Sequence, residues 1–249
     1  MDIISAHDLA VGYEREAVLR DMTFGIPEGR ITVVLGISGS GKSTLLKTLA
    51  GLLPPLGGGF DFAGCAVDYR SEESLHRLYS KIGVLYQGGA LLNGLTLFEN
   101  VALPIRMHYP EMPAGMVRDM VHAGLAQVEM AEAADKYPSE LSGGMRKRGA
   151  LARAVALDPD LVFCDEPSSG LDPITSSRLD DLLLRLKGTF GMTLVVVTHE
   201  LRSIERVADR VLVLNEGRLH FAGEAAGLAD SADAFIRTFF LKKDSHHDT

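Results

Sequence analysis

The sequence is poor in cysteine, in long apolar runs and in positive charge, and each shortage removes a class of function. Cys65 and Cys164 are the only cysteines among 249 residues. They stand far apart, so neither a disulfide framework nor the paired spacing of a zinc site is present, which suits a reducing cytoplasm. Cys164 lies inside the apolar run LVFCDE and reads as a small core residue. The apolar runs are strand-sized, well short of the roughly 18 residues that a membrane-crossing helix needs. The opening MDIISAHDLAVGY has no basic stretch followed by a long apolar one, so no signal peptide is expected. If the protein works at a membrane, it must dock there. Lys and Arg number 25 against 33 Asp and Glu, a net charge of −8. That balance weighs against a nucleic-acid partner, which is usually met by a basic face.

What is present fits a folded globular chain, with 46% hydrophobic and 23% charged residues. Its length allows one large or two modest domains. The strongest signal begins at RITVVL (30–35), a β-branched apolar run that reads as a buried parallel strand. It leads into GISGSGKST (36–44) and then the helical LLKTLAGLL (45–53), closed by Pro54 and Pro55. Strand, glycine-rich loop and helix in that order make a P-loop. Gly36, Gly39 and Gly41 let the backbone wrap close to phosphate oxygens, with Ile37, Ser38, Ser40 and Thr44 filling the rest of the loop. Lys42 is placed to reach the β- and γ-phosphates of a nucleoside triphosphate, and the Ser43 hydroxyl to hold magnesium.

A second apolar strand, LVFCDE (161–166), ends in two adjacent carboxylates. Successive strand side chains point to opposite faces, so Asp165 and Glu166 need not share a task. One can face the magnesium while the other meets a water beside the γ-phosphate. TLVVVTHE (193–200) repeats the pattern and ends near His199. In open α/β sheets ligands collect at the carboxyl ends of the strands, so His199 points to the same crevice. Gln87 closes a further apolar stretch, KIGVLYQ (81–87), where its amide could touch magnesium or the attacking water. The other histidines have no such placement, and His246 and His247 in the polar tail have no scaffold for a metal site. At LSGGMRKRG (141–149), Ser142 reads as the N-cap of a helix whose first amides, exposed at Gly143 and Gly144, favour an anion.

Together these motifs resemble the nucleotide-binding subunits of ABC transporters, over about residues 3–222 and in the family's order. The resemblance implies an α/β P-loop ATPase with a RecA-like core, an antiparallel β subdomain and an inserted α-helical subdomain at about 95–157, within an ATPase domain of 1–225. It implies ATP and Mg²⁺ as ligands. Tyr13, in DLAVGY, matches the aromatic that stacks on adenine, and Gln87 opens the Q-loop. Leu141 to Met145 matches the signature, LVFCDE matches Walker B, Ser169 to Asp172 the D-loop, and His199 the switch histidine. In this family two such domains pair head to tail, so Ser142, Gly143 and Gly144 would serve the γ-phosphate held by a partner copy. Met145 departs from the commonest signature, which ends in Gln. A side-chain contact is lost there, but the backbone amides remain, and hydrolysis is expected to survive.

Three further stretches, QGGALLNGLTLFENVALPIRMH (87–108), AADKYPSELSGGM (133–145) and SSGLDPITS (168–176), look like the MlaF-like ATPases that serve MCE-type lipid transporters. Leu92 stands where an aromatic is frequent. The resemblance implies a homodimer, a multi-spanning permease docked on the helical subdomain, an MCE-domain protein and a small regulatory subunit, at the cytoplasmic face of the inner membrane. The competing resemblance is to the FtsE-like ATPases, which drive a cell-division membrane partner and move no substrate. Residues 226–249 read as a helical extension and polar tail. SADAFIRTFF (231–240) sets Phe235, Ile236, Phe239 and Phe240 on one face, with Ser231 as its N-cap. A helix of ten residues is marginal alone, so that face must pack, either on a paired or regulatory subunit or on its own domain.

Overall fold

The structure is a computed structural model that describes residues 1–228, 231 and 233–241, with backbone alone for 238–241. His246 and His247, and the side chains of Phe239 and Phe240, lie outside the described residues.

Two sheets organise the chain. Asp2–Tyr13 (β1), Glu16–Pro27 (β2), Gly57–Phe62 (β4) and Cys65–Ala66 (β5) form an antiparallel sheet in the order β2-β1-β4-β5. The second contains Ile31–Gly36 (β3), Ile82–Leu85 (β6), Leu161–Asp165 (β7), Thr193–Val197 (β8), Arg210–Asn215 (β9) and Arg218–Glu224 (β10). Its order is β10-β9-β3-β8-β7-β6, parallel from β9 to β6, with β10 returning antiparallel along β9. The four apolar runs read as strands are therefore β3, β6, β7 and β8. Being parallel, they deliver the residues that follow them to one edge.

The parallel strands are buried on both faces, and their alternation sorts side chains into two cores. Val33, Val162, Val196 and Val213 face one core, shared with helices Leu97–His108 (α3), Ala114–Gln127 (α4), Gly143–Ala154 (α5) and Pro173–Phe190 (α6). Val34, Phe163, Val197 and Leu214 face the other. There they meet Leu45, Leu46 and Leu49 of helix Lys42–Leu49 (α1), Leu78 of helix Glu72–Tyr79 (α2), and the inner face of the antiparallel sheet. Cys164 is fully buried in the first core, and burial pushes its thiol pKa up to about 12, which makes it inert.

α1 is shorter than the run 45–53 suggests. It ends at Leu49, because Ala50 leads into Gly51 at φ 77°, and Leu52 turns back to donate its amide to the Lys47 carbonyl. α3 starts where a reciprocal cap sets it. Glu99 N–H donates to Thr96 Oγ1 at 3.2 Å, and Thr96 N–H donates to Glu99 Oε2 at 2.8 Å. Within α3, Asn100 is fully buried and binds the preceding loop through its backbone, accepting from Leu92 N–H and donating to the carbonyls of Leu92, Leu95 and Thr96. Arg153 of α5 grips the same loop farther back, at the carbonyls of Gly89 and Ala90.

Helix Ala234–Leu241 (α8) packs on its own domain through Ile236, which is 2% exposed and joins the first core, and Phe235, whose ring lies 5.0 Å from that of His220. Its cap is Asp233 rather than Ser231. The Asp233 carboxylate accepts from the amides of Phe235 and Ile236 at 2.8 and 3.0 Å, while Ser231 Oγ accepts from Asp233 N–H. Aspartate stands at the helix start itself, and serine two residues before it. His220 Nε2 lies 2.9 Å from the same carboxylate. The Ile236 amide, followed by His220, holds this carboxyl below its ordinary pKa. A depressed carboxylate stabilises the docked helix above its unfolded pKa and ceases to as pH falls through the lowered value. Asp233→Ala is expected to release α8, seen in hydrogen exchange as lost protection at Phe235 and Ile236 with β7 unchanged.

Candidate nucleotide site

The loop between β3 and α1 is shaped for an anion. Gly41 precedes α1 at φ 93°, where a Cβ would stand 2.8 Å from Leu19 Cγ, so both conformation and space call for glycine. The Ser40 hydroxyl is buried with no hydrogen-bond partner among the described residues. Lys42 Nζ lies inside the loop and donates to the carbonyls of Gly36 and Ile37 at 2.8 and 2.9 Å. Burial lowers the pKa of this ammonium, against the pull of Glu166 and Asp165. An orphaned hydroxyl, a half-buried lysine and helix-start amides fit a triphosphate. Tyr13 is half-exposed above α1, its hydroxyl 3.4 Å from Lys47 Nζ, which sits 5.9 Å from the ring centroid. Its pKa is lowered, chiefly by a hydrogen bond with Thr44.

Ser43 Oγ donates to Asp165 Oδ1 at 3.3 Å, so the P-loop and the end of β7 meet. Burial raises the pKa of Asp165, offset in part by Ser43. Among the described residues no group of three or more His, Cys, Asp or Glu is placed to hold a metal ion. One carboxylate beside one hydroxyl instead suits magnesium, which keeps several waters and binds largely through substrate phosphates.

Glu166 leaves the strand at φ 47°, a left-handed conformation that costs a non-glycine residue roughly 1–3 kcal/mol and recurs at functional sites. Its amide donates to the Val197 carbonyl at 2.8 Å, tying it to β8. The turn separates the two carboxylates. Asp165 goes to Ser43, while Glu166 Oε1 meets His199 Nδ1 at 2.8 Å. Gln87 stands two residues beyond β6, and its Nε2 lies 3.4 Å from Ser169 Oγ, so the Q-loop and the segment after β7 also touch.

Ser142, Gly143 and Gly144 start α5 as read from the sequence, with Met145 N–H donating to Ser142 Oγ at 3.3 Å. Their neighbours within the chain are Leu171 and Thr175, where Cβ atoms on Gly143 and Gly144 would come within 3.6 and 2.5 Å. Ser142 and Gly143 are exposed. The loop, Asp165, Glu166 and His199 are linked through direct contacts, whereas the signature faces outward beside the start of α6. Asp172 caps that helix, accepting from the amides of Ile174 and Thr175 at 3.0 Å.

Lys147 is the residue sequence reasoning missed. Within MRKRG it reads as one charge of a solvated face, yet it is 6% exposed, and its ammonium donates to the carbonyls of Gln87 and Glu166. No local signal marks it, since its burial follows from how α5 lies against β6 and β7.

The ABC transporter family model matches residues 19–169, well over half of the chain. The protein is 36% identical to the probable ribonucleotide transport ATP-binding protein mkl of Mycobacterium tuberculosis over 95% of this chain and 66% of mkl, so it spans about two thirds of the length of that relative. It is 35% identical to the intermembrane phospholipid transport ATP-binding protein MlaF of Escherichia coli, over 96% of this chain and 88% of MlaF. Among solved structures, the dimeric post-hydrolysis ATP-binding cassette MJ0796 bound to ADP and Pi superposes with a TM-score of 0.80 at 29% identity, covering 89% of this chain and 98% of that one. With the P-loop, Asp165, Glu166 and His199 gathered at one sheet edge and these matches along nearly its whole length, the chain belongs to the ABC transporter family.

Proposed function

We propose that this protein is the subunit that binds and hydrolyses ATP, as a homodimer, to power a membrane permease moving phospholipid or a related lipid between membranes. The likeness to MlaF along most of both chains carries the lipid reading. In this reading residues 1–225 are the ATPase domain, 95–157 its helical subdomain and 226–249 its C-terminal extension. Gly36 to Thr44 cradle the phosphates, Lys42 neutralises their charge, and Tyr13 stacks on adenine. Ser43, Asp165 and Gln87 would hold Mg²⁺, which when bound would supply positive charge against that developing on the transferred phosphoryl group. Glu166 orients the attacking water and accepts its proton, and His199 fixes the Glu166 carboxylate from the opposite side. Ser142 and Gly143, exposed at the start of α5, complete the site of the paired copy together with the amide of Gly144, which is itself buried against Thr175.

A groove of about 340 Å³ beside Gln87 supports the permease contact, with Tyr86 and Leu92 on one side and Leu103, Pro104 and Met107 of α3 on the other. Met107 is 73% exposed, an apolar side chain available to a helix of a membrane partner. Among the described residues no helix is long and apolar enough to cross a membrane, and the subunit sits at the cytoplasmic face of the inner membrane through its permease.

A second reading rests on the mycobacterial relative, whose name gives ribonucleotide as cargo. One experiment separates the two. Tagged protein is captured from detergent-solubilised membranes and its stoichiometric partners are identified by mass spectrometry. The expected result is a multi-spanning permease with a single-span MCE-domain protein and a small regulatory subunit. A permease without any lipid-binding subunit would favour ribonucleotide cargo. A division-type permease would favour the FtsE-like role, and no membrane partner would overturn the transport reading.

A further inference from the structure

Lys147 is an anomaly. Burying an ammonium is costly unless an opposite charge compensates it, and among the described residues the hydrogen-bond partners of this one are backbone carbonyls, with no carboxylate in ion-pair contact. A methionine of similar length would fill the space without that penalty. The ammonium instead makes two hydrogen bonds to backbone carbonyls, from Gln87, 60 residues before it, and from Glu166, 19 after it, the latter at 3.3 Å. It stands one turn into α5, the helix that begins with Ser142 and Gly143. Burial lowers its pKa, while Glu166 and Asp165 pull the other way.

The peptide groups at Glu166 are thereby held from two directions. The amide is held by the Val197 carbonyl and the carbonyl by Lys147. A residue at φ 47° has a backbone that relaxes when such restraints are removed. We propose that Lys147 is a positioning residue: it keeps the Glu166 carboxylate and the Q-loop in one register with the signature helix, so that engagement of Ser142 and Gly143 by a paired copy is conveyed to the water-orienting group. The inference rests on the ATPase reading above, and it concerns the geometry of Glu166 rather than nucleotide affinity.

The test compares wild type, Lys147→Met, Lys147→Arg and Glu166→Gln as full-length chains with whatever membrane subunits co-purify. It measures kcat and KM for ATP, the affinity for a fluorescent ATP analogue and the melting temperature. Lys147→Met is expected to lower kcat at least tenfold with KM and analogue affinity within twofold of wild type. Lys147→Arg, which keeps cation and donors, is expected to recover kcat to within threefold. Because a purely structural lysine would lower binding and turnover together, a Met variant that loses analogue affinity in step with kcat overturns the proposal. An unchanged kcat also overturns it. If the Met variant does not fold, the Arg variant decides alone: kcat reduced tenfold or more in a folded chain counts against the proposal, and kcat within threefold supports it. Normal turnover by Glu166→Gln would instead overturn the role of Glu166 itself, whatever the lysine variants show.

Discussion

Glu166→Gln is expected to lower ATP turnover by about a hundredfold or more while nucleotide affinity stays within about threefold of wild type. The substitution keeps the size of the side chain and its capacity to hydrogen-bond, so contact with His199, now 2.8 Å from the carboxylate, can persist. It removes the one property that matters for activating water, the ability to accept a proton. The groups proposed to bind the phosphates, Lys42 and the loop amides, are untouched. In the proposed cycle dimer release waits on hydrolysis, so the variant is expected to accumulate as the ATP-bound dimer. Single-turnover kinetics with size-exclusion chromatography in ATP checks both halves: slow phosphate release together with a persistent dimer. Normal release would move the general base to another residue.

The second large effect is on binding. Lys42→Ala is expected to weaken ATP affinity by roughly 10- to 100-fold, the equivalent of one charge-assisted hydrogen bond of about 1.5–3 kcal/mol. The amine spans the loop from inside, donating to the Gly36 and Ile37 carbonyls, and phosphate oxygens offer it a better acceptor with opposite charge. A thermal-shift titration reads this directly. At an ATP concentration about a hundred times its Kd, the wild-type chain gains about 2.7 kcal/mol of stability, whereas a variant bound roughly thirtyfold more weakly gains less than about 1 kcal/mol. An undiminished shift in the alanine variant would place the phosphates elsewhere.

The parts of the site that could be read from the sequence share one physical property: their geometry is local. A β-branched run, a glycine loop and a helix start place Gly36 to Thr44 whatever surrounds them, and a parallel strand delivers Asp165 and Glu166 to the edge it ends on. Ser142 caps α5 through an interaction three residues long. The unread parts depend on what packs against what. Lys147 and Asn100 each sit in a helix where a polar residue ordinarily faces water, and only the lie of that helix on the strands or loop beside it makes them internal. Side-chain direction at the end of β7 was half legible. Alternation separated Asp165 from Glu166, but the left-handed turn that sends Glu166 to His199 is set by β8, thirty residues away. The aromatic face of the C-terminal helix had two possible partners in the sequence, and Ile236 in the first core chooses the chain's own domain for the described part.

The loop after Gln87 is held in a particular way. Asn100 and Arg153 grasp it by its carbonyls and one amide and leave the identity of its side chains out of the grip. A surface fastened by its main chain can exchange its side chains without coming loose. Exposed side chains such as Leu92 and Asn93 can therefore be exchanged without releasing the loop, whereas Leu91, packed against the first core, and Gly89, buried at φ 76°, are fixed points within it.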